Sequence, residues 1–340
     1  MPSQLPLKVA SIGLGWWSDE LAKSVEGSDK IKIVACVSRS KAKRDAFAAR
    51  FGARPIETYE QALADPEIDG VILTTPHSMH GDHVRMAAAA GKHVFVEKPF
   101  TLQPSDGADA TEACRKAGVV LAVGHNRRFS SGGAWLKEQI DSGALGTILH
   151  AEANISAPGA LGYTEDRWRA NRTESPGGAI SGLGIHMIDL LTWLLGPVTR
   201  LNANAIRRAV PVDMDDTTSA LFQFSSGATG YLGTIFVSPF QSFLTVYGTK
   251  GIAQIAPEAN TGWLRPAGAP GGWTKAPGGP EEVKTFDPID TLTAELEEFA
   301  DTCAGRGSYR VLPEEAIHNV AIMQGIVESA AHEGKAVVPR

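Results

Sequence analysis

The sequence predicts an α/β domain with a parallel sheet over residues 1–124, followed by an α+β domain over residues 125–340. In the first part, short apolar runs alternate with amphipathic helical segments, which is the pattern of βαβ units. In the second part, strand-like runs follow one another with turn residues between them, which indicates antiparallel pairing. A length of 340 residues also suits two domains of ordinary size.

Composition restricts the classes of partner and the compartment. A hydrophobic content of 43% and a charged content of 21% are ordinary for a soluble globular protein, and the net charge of -6 argues against nucleic acid or an anionic membrane as partner. Cys36, Cys114 and Cys303 are far apart without metal-ligand spacing, so we expect core packing in a reducing compartment. Residues 1–6 lack the features of a signal peptide, and no apolar run is long enough for a membrane span. We therefore expect a cytoplasmic protein.

The first strand, Lys8 to Ile12, enters a glycine-rich turn. Gly13, Gly15 and Ser18 occupy the three glycine positions of G-x-G-x-x-G, and a helix is expected to follow through about Val25. The two glycines permit a tight turn and close approach of the backbone to a pyrophosphate, and the helix N-terminus favours that anion. Ser18 can cap the helix. This arrangement predicts a dinucleotide site. The intervening Trp16 and Trp17 either cover the cofactor or substrate or pack against a neighbouring loop.

The second strand, Ile31 to Val37, ends in Ser38, Arg39 and Ser40. An acidic residue at this place binds the ribose 2′-hydroxyl of NAD, whereas an arginine accommodates the 2′-phosphate of NADP. Here two hydroxyls and a guanidinium are present and a carboxylate is absent. The alternative is a solvated helix N-terminus, but cations oppose the helix dipole there. The sequence favours NADP over NAD.

A strand from His93 to Val96 ends in Glu97, Lys98 and Pro99. Proline cannot donate to a sheet ladder, so the strand should stop at Glu97 and the chain should turn at Lys98-Pro99, a candidate cis bond. Ligands of parallel sheets gather at the carboxyl ends of the strands, so Lys98 on this turn can reach a substrate. The alternative is a solvated Lys-Glu pair at the surface.

Further strands and helices complete both halves. Strands are expected at 69–74 and 119–123 and helices at 41–51, up to 90, and 104–117, which makes the first half a Rossmann-type domain. In the second half we expect helices at 133–141, 185–195, 291–303 and 314–331, with strands at 148–155, 198–206, 217–224, 228–237 and 243–247. The stretch from 266 to 280 is dense in glycine and proline and is predicted to be an irregular loop.

The order and spacing of several motifs resemble the Gfo/Idh/MocA oxidoreductase family of glucose–fructose oxidoreductase and the inositol dehydrogenases. The resemblance covers almost the whole chain and rests on the following pieces: the Gly13/Gly15 turn, Thr74-Thr75-Pro76 with His80, Glu97-Lys98-Pro99, Gly124-His125-Asn126-Arg127-Arg128-Phe129, Trp168-Arg169, and Gly177-Gly178-Ala179 leading to Gly184-Ile185-His186-Met187-Ile188-Asp189. The resemblance implies a Rossmann domain and a large, mostly antiparallel open sheet that is used in homodimer or homotetramer contacts. It also implies hydride transfer between NAD(P) and a hydroxyl or keto carbon of a sugar, cyclitol or related polyol.

The resemblance also assigns roles to residues. His186 is expected to handle the hydroxyl proton, because imidazole titrates near neutral pH, and Lys98 to stabilise the substrate oxyanion, although these two roles can be exchanged. Substrate contacts are expected from Asp189, Arg128, Trp168, Arg169 and Asn126; for Arg169 a surface cation–π pair with the tryptophan is an equal alternative. Cofactor contacts are expected from Gly13, Gly15, Trp16, Trp17, Ser38, Arg39, Ser40, Thr74, Thr75, Pro76, His77, His80, Glu97 and Lys98.

Two points stay open at this stage. The family's second motif commonly reads Asp-x-Gly-x-His-x-x-Asp, and this chain has Gly182 at the first position, so a mechanism that needs that carboxylate is in question. Alternative functions are a redox-neutral, nicotinamide-dependent glycosidase and a non-catalytic NAD(P)-sensing regulator. We do not expect a zinc site at His77, His80 and His83, since their spacing does not put all three on one helical face.

Overall fold

The computed structural model describes residues 3–256, 260–268 and 278–340 of the chain. The strands in these ranges are β1 (Leu7–Ile12), β2 (Ile31–Val37), β3 (Arg54–Ile56), β4 (Gly70–Leu73), β5 (His93–Glu97), β6 (Leu121–Gly124), β7 (Ile148–Ser156), β8 (Val198–Ile206), β9 (Thr217–Phe224), β10 (Thr229–Ile235), β11 (Gln241–Gly248), β12 (Gly251–Ala256), β13 (Thr261–Pro266) and β14 (Glu282–Thr285). The helices are α1 (Trp16–Ser24), α2 (Lys41–Phe51), α3 (Tyr59–Ala64), α4 (His80–Ala89), α5 (Pro104–Ala117), α6 (Ser131–Asp141), α7 (Ile185–Leu195), α8 (Thr291–Cys303) and α9 (Pro313–Ala331).

The chain divides into two compact units. The first consists of Met1–Asn126 and Asp290–Val320, and the second of Arg127–Ile289 and Ala321–Arg340. The sequence-based division placed one boundary at 124/125 and did not include the return of the chain to the first unit.

The packing of α8 explains this return. Leu296 and Phe299, on the inner face of the helix, are 0% exposed, and the Phe299 ring lies 5.8 Å from the ring of Phe95 in β5. An amphipathic helix must bury its apolar stripe, and the sheet of the first unit supplies the surface.

The first unit is built on a six-stranded parallel sheet with the order β3-β2-β1-β4-β5-β6. The central strands β1 and β4 are mostly apolar and buried, because helices cover both faces of such a sheet. This order is that of the dinucleotide-binding Rossmann fold. Successive strands are added toward one edge of the sheet from β1 to β3 and toward the other edge from β4 to β6, so the switch point lies between β1 and β4. The predicted fold class is therefore confirmed, and the carboxyl ends of β1, β4 and β5 lie side by side.

The second unit contains an eight-stranded sheet with the order β14-β13-β12-β11-β7-β10-β9-β8. Every pair of neighbours is antiparallel except β7 and β10, which run parallel. One face is buried, as in β9, where Ala220, Phe222 and Phe224 are at most 3% exposed while the intervening Leu221 is 57% exposed. The prediction of a mostly antiparallel sheet is confirmed.

Helix α7 is buried along most of its length and follows a π-helical turn, Ile180–Gly184. The approach to this turn depends on Gly178, which has a φ of +57° and whose missing Cβ would overlap the backbone carbonyl of Asp215. Only glycine fits there, since any side chain would meet a backbone atom that cannot move aside. π-Helical turns are often found at functional sites.

Several predicted elements have the observed bounds, namely β2, β8, β9, α2, α5, α7 and α8. Five elements were not predicted: β3, α3, β12, β13 and β14. Most of the predicted irregular loop, residues 269–277, lies outside the described residues. Among the helices that are described, none is both long and apolar enough to cross a membrane.

Candidate functional site

The glycine-rich turn after β1 has the geometry that a dinucleotide requires. Gly13 has a φ of +90°, and a Cβ there would lie 3.0 Å from the backbone of Thr74 and from Cγ2 of Thr75. A side chain is thus excluded at Gly13 both by its backbone conformation and by the adjoining end of β4. Gly15 is the N-cap of α1, and no heavy atom lies within 4 Å of the position of its missing Cβ. The space over Gly15 can therefore admit a phosphate group at the helix N-terminus.

Ser18 acts one turn later than a typical N-cap. Helix α1 starts at Trp16, before the expected start, and the Ser18 Oγ accepts from the Gly15 N–H at 3.0 Å and donates to the Gly15 carbonyl at 2.7 Å. Its side chain is 1% exposed, so a small residue is needed at this third motif position. Trp16 is 72% exposed with its ring centroid 5.3 Å from that of Trp17.

The end of β2 is a basic, hydroxyl-rich loop. Ser40 caps α2 by accepting from the Lys43 N–H at 3.4 Å, and Nη1 of Arg44 donates to the Ser38 carbonyl at 2.5 Å. The Arg39 side chain is exposed. The loop thus presents a guanidinium between two hydroxyl groups.

The end of β4 is tied directly to the glycine-rich turn. The Thr74 hydroxyl donates to the Gly13 carbonyl at 2.5 Å, and Oγ1 of Thr75 lies 3.2 Å from Nδ1 of His83. His77 follows Pro76 and begins a short 3-10 turn; its ring is 4% exposed. The predicted cofactor residues of this segment therefore lie next to the loop that was predicted from the glycines.

Lys98 lies directly after β5, which ends at Glu97 as predicted. Glu97 pairs with Gly124 in β6, its side chain is 6% exposed, and its Oε2 accepts from the Lys98 N–H at 3.3 Å. The Lys98-Pro99 peptide bond is cis, which confirms the prediction. The Lys98 side chain is half-buried, between buried neighbours on both sides.

His80 is completely buried beneath this turn. Its Nδ1 lies 2.9 Å from the Pro99 carbonyl oxygen and its Nε2 lies 3.0 Å from the Thr75 carbonyl oxygen. Burial of the ring lowers the pKa of His80, and the contacts with backbone groups oppose this shift. Burial likewise lowers the pKa of His83.

No group of three or more side chains suited to a metal ion occurs in the part of the chain that the structure describes.

In the second unit, the structure joins two predicted substrate residues to each other. Arg128, in the 3-10 turn Asn126–Phe129, donates to Asp189 of α7 through Nε at 2.9 Å and Nη2 at 2.8 Å. Both side chains are 1% exposed, and the Arg128 guanidinium also lies 5.9 Å from the ring of Trp193. This bidentate pair holds α7, and with it His186, against the turn that follows β6.

His186 is in the first turn of α7 and is 9% exposed. Gly182 lies in the preceding π-helical turn, and a Cβ there would lie 3.3 Å from Cε1 of Phe236. The Phe236 ring packs in a cluster with Tyr163, whose ring centroid is 5.8 Å away, and with Met214. The aromatic ring thus fills the space toward which a side chain at position 182 would point.

The remaining predicted substrate residues have separate environments. The guanidinium of Arg169 lies 4.2 Å from the ring of Trp168, the cation–π arrangement named above as the alternative, and the Arg169 side chain is exposed. Nδ2 of Asn126 donates to Oγ1 of Thr291 at 2.9 Å within the first unit.

Comparison with known proteins identifies the family. A family model described as an oxidoreductase family with an NAD-binding Rossmann fold matches residues 7–125, and one described as the GFO/IDH/MocA C-terminal domain matches residues 134–254. A scyllo-inositol 2-dehydrogenase (NAD(+)) of Bacillus subtilis is 31% identical over 259 residues, which cover 72% of each chain. The chain belongs to the Gfo/Idh/MocA oxidoreductase family.

Other relatives of this Gfo/Idh/MocA oxidoreductase have related names. A D-xylose 1-dehydrogenase (NADP(+)) 2 of Haloferax volcanii is 29% identical over 300 residues, which cover 88% of this chain and 90% of that one. A dTDP-3,4-didehydro-2,6-dideoxy-alpha-D-glucose 3-reductase of Saccharopolyspora spinosa is 31% identical over 221 residues, and the chain spans 65% of its length. The crystal structure of a Desulfitobacterium hafniense protein described as an oxidoreductase is 29% identical, covers 99% of this chain and 98% of that one, and has a TM-score of 0.90.

The sequence of this Gfo/Idh/MocA oxidoreductase did not indicate that Phe236 and Trp193 belong to the candidate site. Phe236 lies near the end of an apolar run far from Gly182 along the chain, and Trp193 lies on the same apolar helix as His186. The spacing of Asp189 and Trp193, four residues apart on one helix, was an available signal that both face the same neighbour.

Proposed function

We propose that the protein is a dehydrogenase or reductase acting on a hydroxyl or keto carbon of a sugar, cyclitol or related polyol. Membership of an oxidoreductase family supports the reaction class, and the names of the inositol and xylose dehydrogenases among its relatives support the substrate class. The observation that carries the proposal is the placement of Lys98 on the cis turn after β5, at the carboxyl edge of a sheet with dinucleotide-binding order.

Each residue has a chemical task in this proposal. A nicotinamide dinucleotide whose pyrophosphate is held at the Gly13/Gly15 turn would supply the hydride acceptor or donor. The ammonium of Lys98 stabilises negative charge that develops on the substrate oxygen, and the imidazole of His186 takes up the hydroxyl proton during oxidation and returns it during reduction. We further propose that Trp168, Arg169 and Asn126 contact substrate hydroxyl groups. Arg128 and Asp189, both buried in their mutual ion pair, are better suited to holding α7 in place than to touching substrate.

The catalytic role of Lys98 is tested by Lys98→Met, which keeps the length of the side chain without its charge. We expect turnover to fall by about 10²- to 10³-fold, because the oxyanion contact of the transition state is lost, while cofactor binding stays measurable. Lys116→Met, at an exposed position of α5, is the control and should be fully active. Full activity of Lys98→Met would refute the assignment.

We propose NADP as the preferred cofactor. Support comes from the exposed Arg39 between the hydroxyls of Ser38 and Ser40 at the end of β2, where the 2′-phosphate of a bound dinucleotide lies in this fold. One relative is named for NADP(+) and another for NAD(+), so the preference must be measured on this protein.

Replacement of Arg39 by glutamine tests this preference. A charge-assisted hydrogen bond to phosphate is worth roughly 1.5–3 kcal/mol, so we expect the ratio of kcat/KM for NADP to that for NAD to fall by about tenfold or more. Arg115→Gln, at an exposed arginine of α5, should leave the ratio unchanged. A wild-type enzyme that prefers NAD would refute the proposal directly.

The glycosidase and regulator functions are not favoured, because the matched family and the relatives named above are oxidoreductases. Nicotinamide absorbance measured with a panel of sugars, cyclitols and their keto forms separates the three functions. Aryl-glycoside cleavage without net reduction would support the glycosidase, and cofactor binding with a silent panel would support the regulator.

We also propose a homodimer or homotetramer that works in the cytoplasm. Leu221 and Tyr231, which pair across β9 and β10, are 57% and 36% exposed on one face of the large sheet. Exposed apolar side chains of this kind suit an interface between two copies of the chain. Free and buried Cys36, Cys114 and Cys303 fit a reducing compartment. Light scattering of the purified protein measures the oligomeric state.

A further inference from the structure

The buried imidazole of His80 connects two segments of the first unit that meet at the carboxyl edge of its sheet. Thr75 follows β4 and adjoins the glycine-rich turn through the close approach of Gly13. Pro99 follows Lys98 in the turn after β5, the strand next to β4. One ring therefore lies between a carbonyl of the cofactor-side segment and a carbonyl of the lysine turn.

The Lys98 turn needs an anchor of this kind. The sheet ladder of β5 ends with the pairing of Glu97 and Gly124, so the backbone beyond it is no longer held by sheet hydrogen bonds. Pro99 has no N–H, but its carbonyl offers an acceptor through which the turn can be held from below. The 2.9 Å contact of that carbonyl with Nδ1 of His80 lies one residue beyond Lys98.

We propose that His80 is a positioning residue, which holds the Lys98 turn against the Thr75 segment so that the lysine keeps its place relative to the bound cofactor. This inference rests on the proposed catalytic role of Lys98. It replaces the cofactor contact expected for His80, whose side chain is 0% exposed and whose two ring nitrogens both face backbone carbonyls.

A neutral His80 ring can donate a hydrogen bond to only one of its two carbonyl neighbours. Carbonyl oxygens only accept hydrogen bonds, and a neutral imidazole carries a single N–H. Because burial lowers the pKa of His80, the neutral ring is the form that the fold favours. The positioning role requires that this single proton be on Nδ1, where it is donated to the Pro99 carbonyl. The unprotonated Nε2 then makes no hydrogen bond to the Thr75 carbonyl, and on that side the ring is held by packing alone.

Two amide substitutions separate the two contacts. In His80→Asn the amide nitrogen takes the place of Nδ1, and in His80→Gln it takes the place of Nε2. We expect the asparagine variant to keep kcat within about threefold of wild type. The glutamine variant should lose about 10- to 100-fold in kcat, the cost of a misplaced catalytic group. Cofactor Kd should change only a few-fold in either variant.

His83→Asn is the matched control. His83 lies on the same helix and is partly buried, and its ring contacts the Thr75 hydroxyl rather than the lysine turn. Its kcat should equal that of wild type. Equal losses of kcat in the asparagine and glutamine variants of His80, in step with a loss of thermal stability, would mean a purely structural role and would overturn the inference.

Two further measurements keep the inference testable. In wild-type protein labelled with ¹⁵N-histidine, the His80 ring should be neutral with its proton on Nδ1; a proton on Nε2 alone would overturn the proposal even if no variant folds. Lys98→Met separates a failure of the His80 positioning role from a failure of the proposed function. If it is inactive while His80→Gln keeps full kcat, only the positioning role fails; if it is active, the proposed function and this inference fail together.

Discussion

Phe236 determines what position 182 can hold. The ring lies between Gly159 and Gly182, so that a Cβ on either glycine would come into close contact with it. The absence of the family's usual carboxylate is therefore part of a local packing arrangement in which an aromatic ring has taken the available space. A carboxylate at position 182 requires that this ring move aside by a few tenths of an ångström or be made smaller.

We expect Gly182→Asp to lower the free energy of unfolding by about 1–3 kcal/mol, the usual cost of overpacking. The double variant Gly182→Asp/Phe236→Leu should recover part of this loss, because leucine is smaller than the ring. Urea unfolding measures both.

Gly162→Asp is the matched control for this substitution. No heavy atom lies within 4 Å of the position of its missing Cβ, so its unfolding free energy should change by less than about 0.5 kcal/mol. Equal effects at positions 162 and 182 would contradict the packing argument.

At the level of elements, the buried Arg128–Asp189 pair fixes helix α7 to the turn after β6. Two charges with 1% exposure are tolerated only because two short hydrogen bonds satisfy them. The family motif identified both residues as functional, but the sequence could not show that they are partners, because 61 positions separate them.

Removal of one partner should be strongly destabilising. Arg128→Met or Asp189→Asn is expected to cost about 3–5 kcal/mol, whereas Arg128→Met/Asp189→Leu should cost less because no buried charge is left unpaired. Chemical unfolding of the three variants provides the measurement.

The exposed pair of Lys137 and Asp141 on α6 is the comparison, and Lys137→Met should cost less than about 1 kcal/mol. A different result is expected if Asp189 binds substrate directly: Asp189→Asn would then raise KM with little loss of stability.

Element prediction succeeded where the sequence pattern is long and failed where it is short. Helix α7 and strand β8 have regular apolar patterns over 11 and 9 residues, and their bounds were predicted. Strand β3 has three residues including Pro55, too few to show a period. In β12, Ile and Ala stand at positions of both faces, so the alternation that identifies a half-buried strand is weak.

The candidate site was predictable to a similar degree. The glycine-rich turn and the cis Lys98-Pro99 bond follow from local chemistry, namely the conformational freedom of glycine and the properties of proline. The His80 bridge does not, because both of its partners are backbone carbonyls, and carbonyl groups are present at every residue. Only the folded chain shows which of them a buried ring meets.

For the whole molecule, several fully or partly buried histidines predict that stability depends on pH. Burial lowers the pKa of His80, His83, His93 and His318 below the ordinary value of 6.5. The unfolded chain therefore takes up protons first as the pH falls, and the folded state loses stability relative to it.

The stabilising contribution of these histidines is complete above about pH 6.5 and is lost as the pH falls through the lower pKa values of the folded protein. Urea unfolding at a series of pH values between about 7.5 and 5 should show this decline. His318→Gln should reduce its slope, since one titrating group is removed. A stability that is constant over this range would contradict the prediction.

The discontinuity of the first unit has a consequence for how the protein is made. Residues Asp290–Val320 leave the ribosome only after the entire large sheet has been synthesised. The nucleotide-binding unit therefore cannot fold to completion in the order of translation, and the apolar surface around Phe95 stays uncovered until α8 arrives. Contacts between segments so distant in sequence raise the contact order and slow folding. The nascent chain thus exposes this surface while the second unit is still being made, the interval in which chaperone binding would be of use.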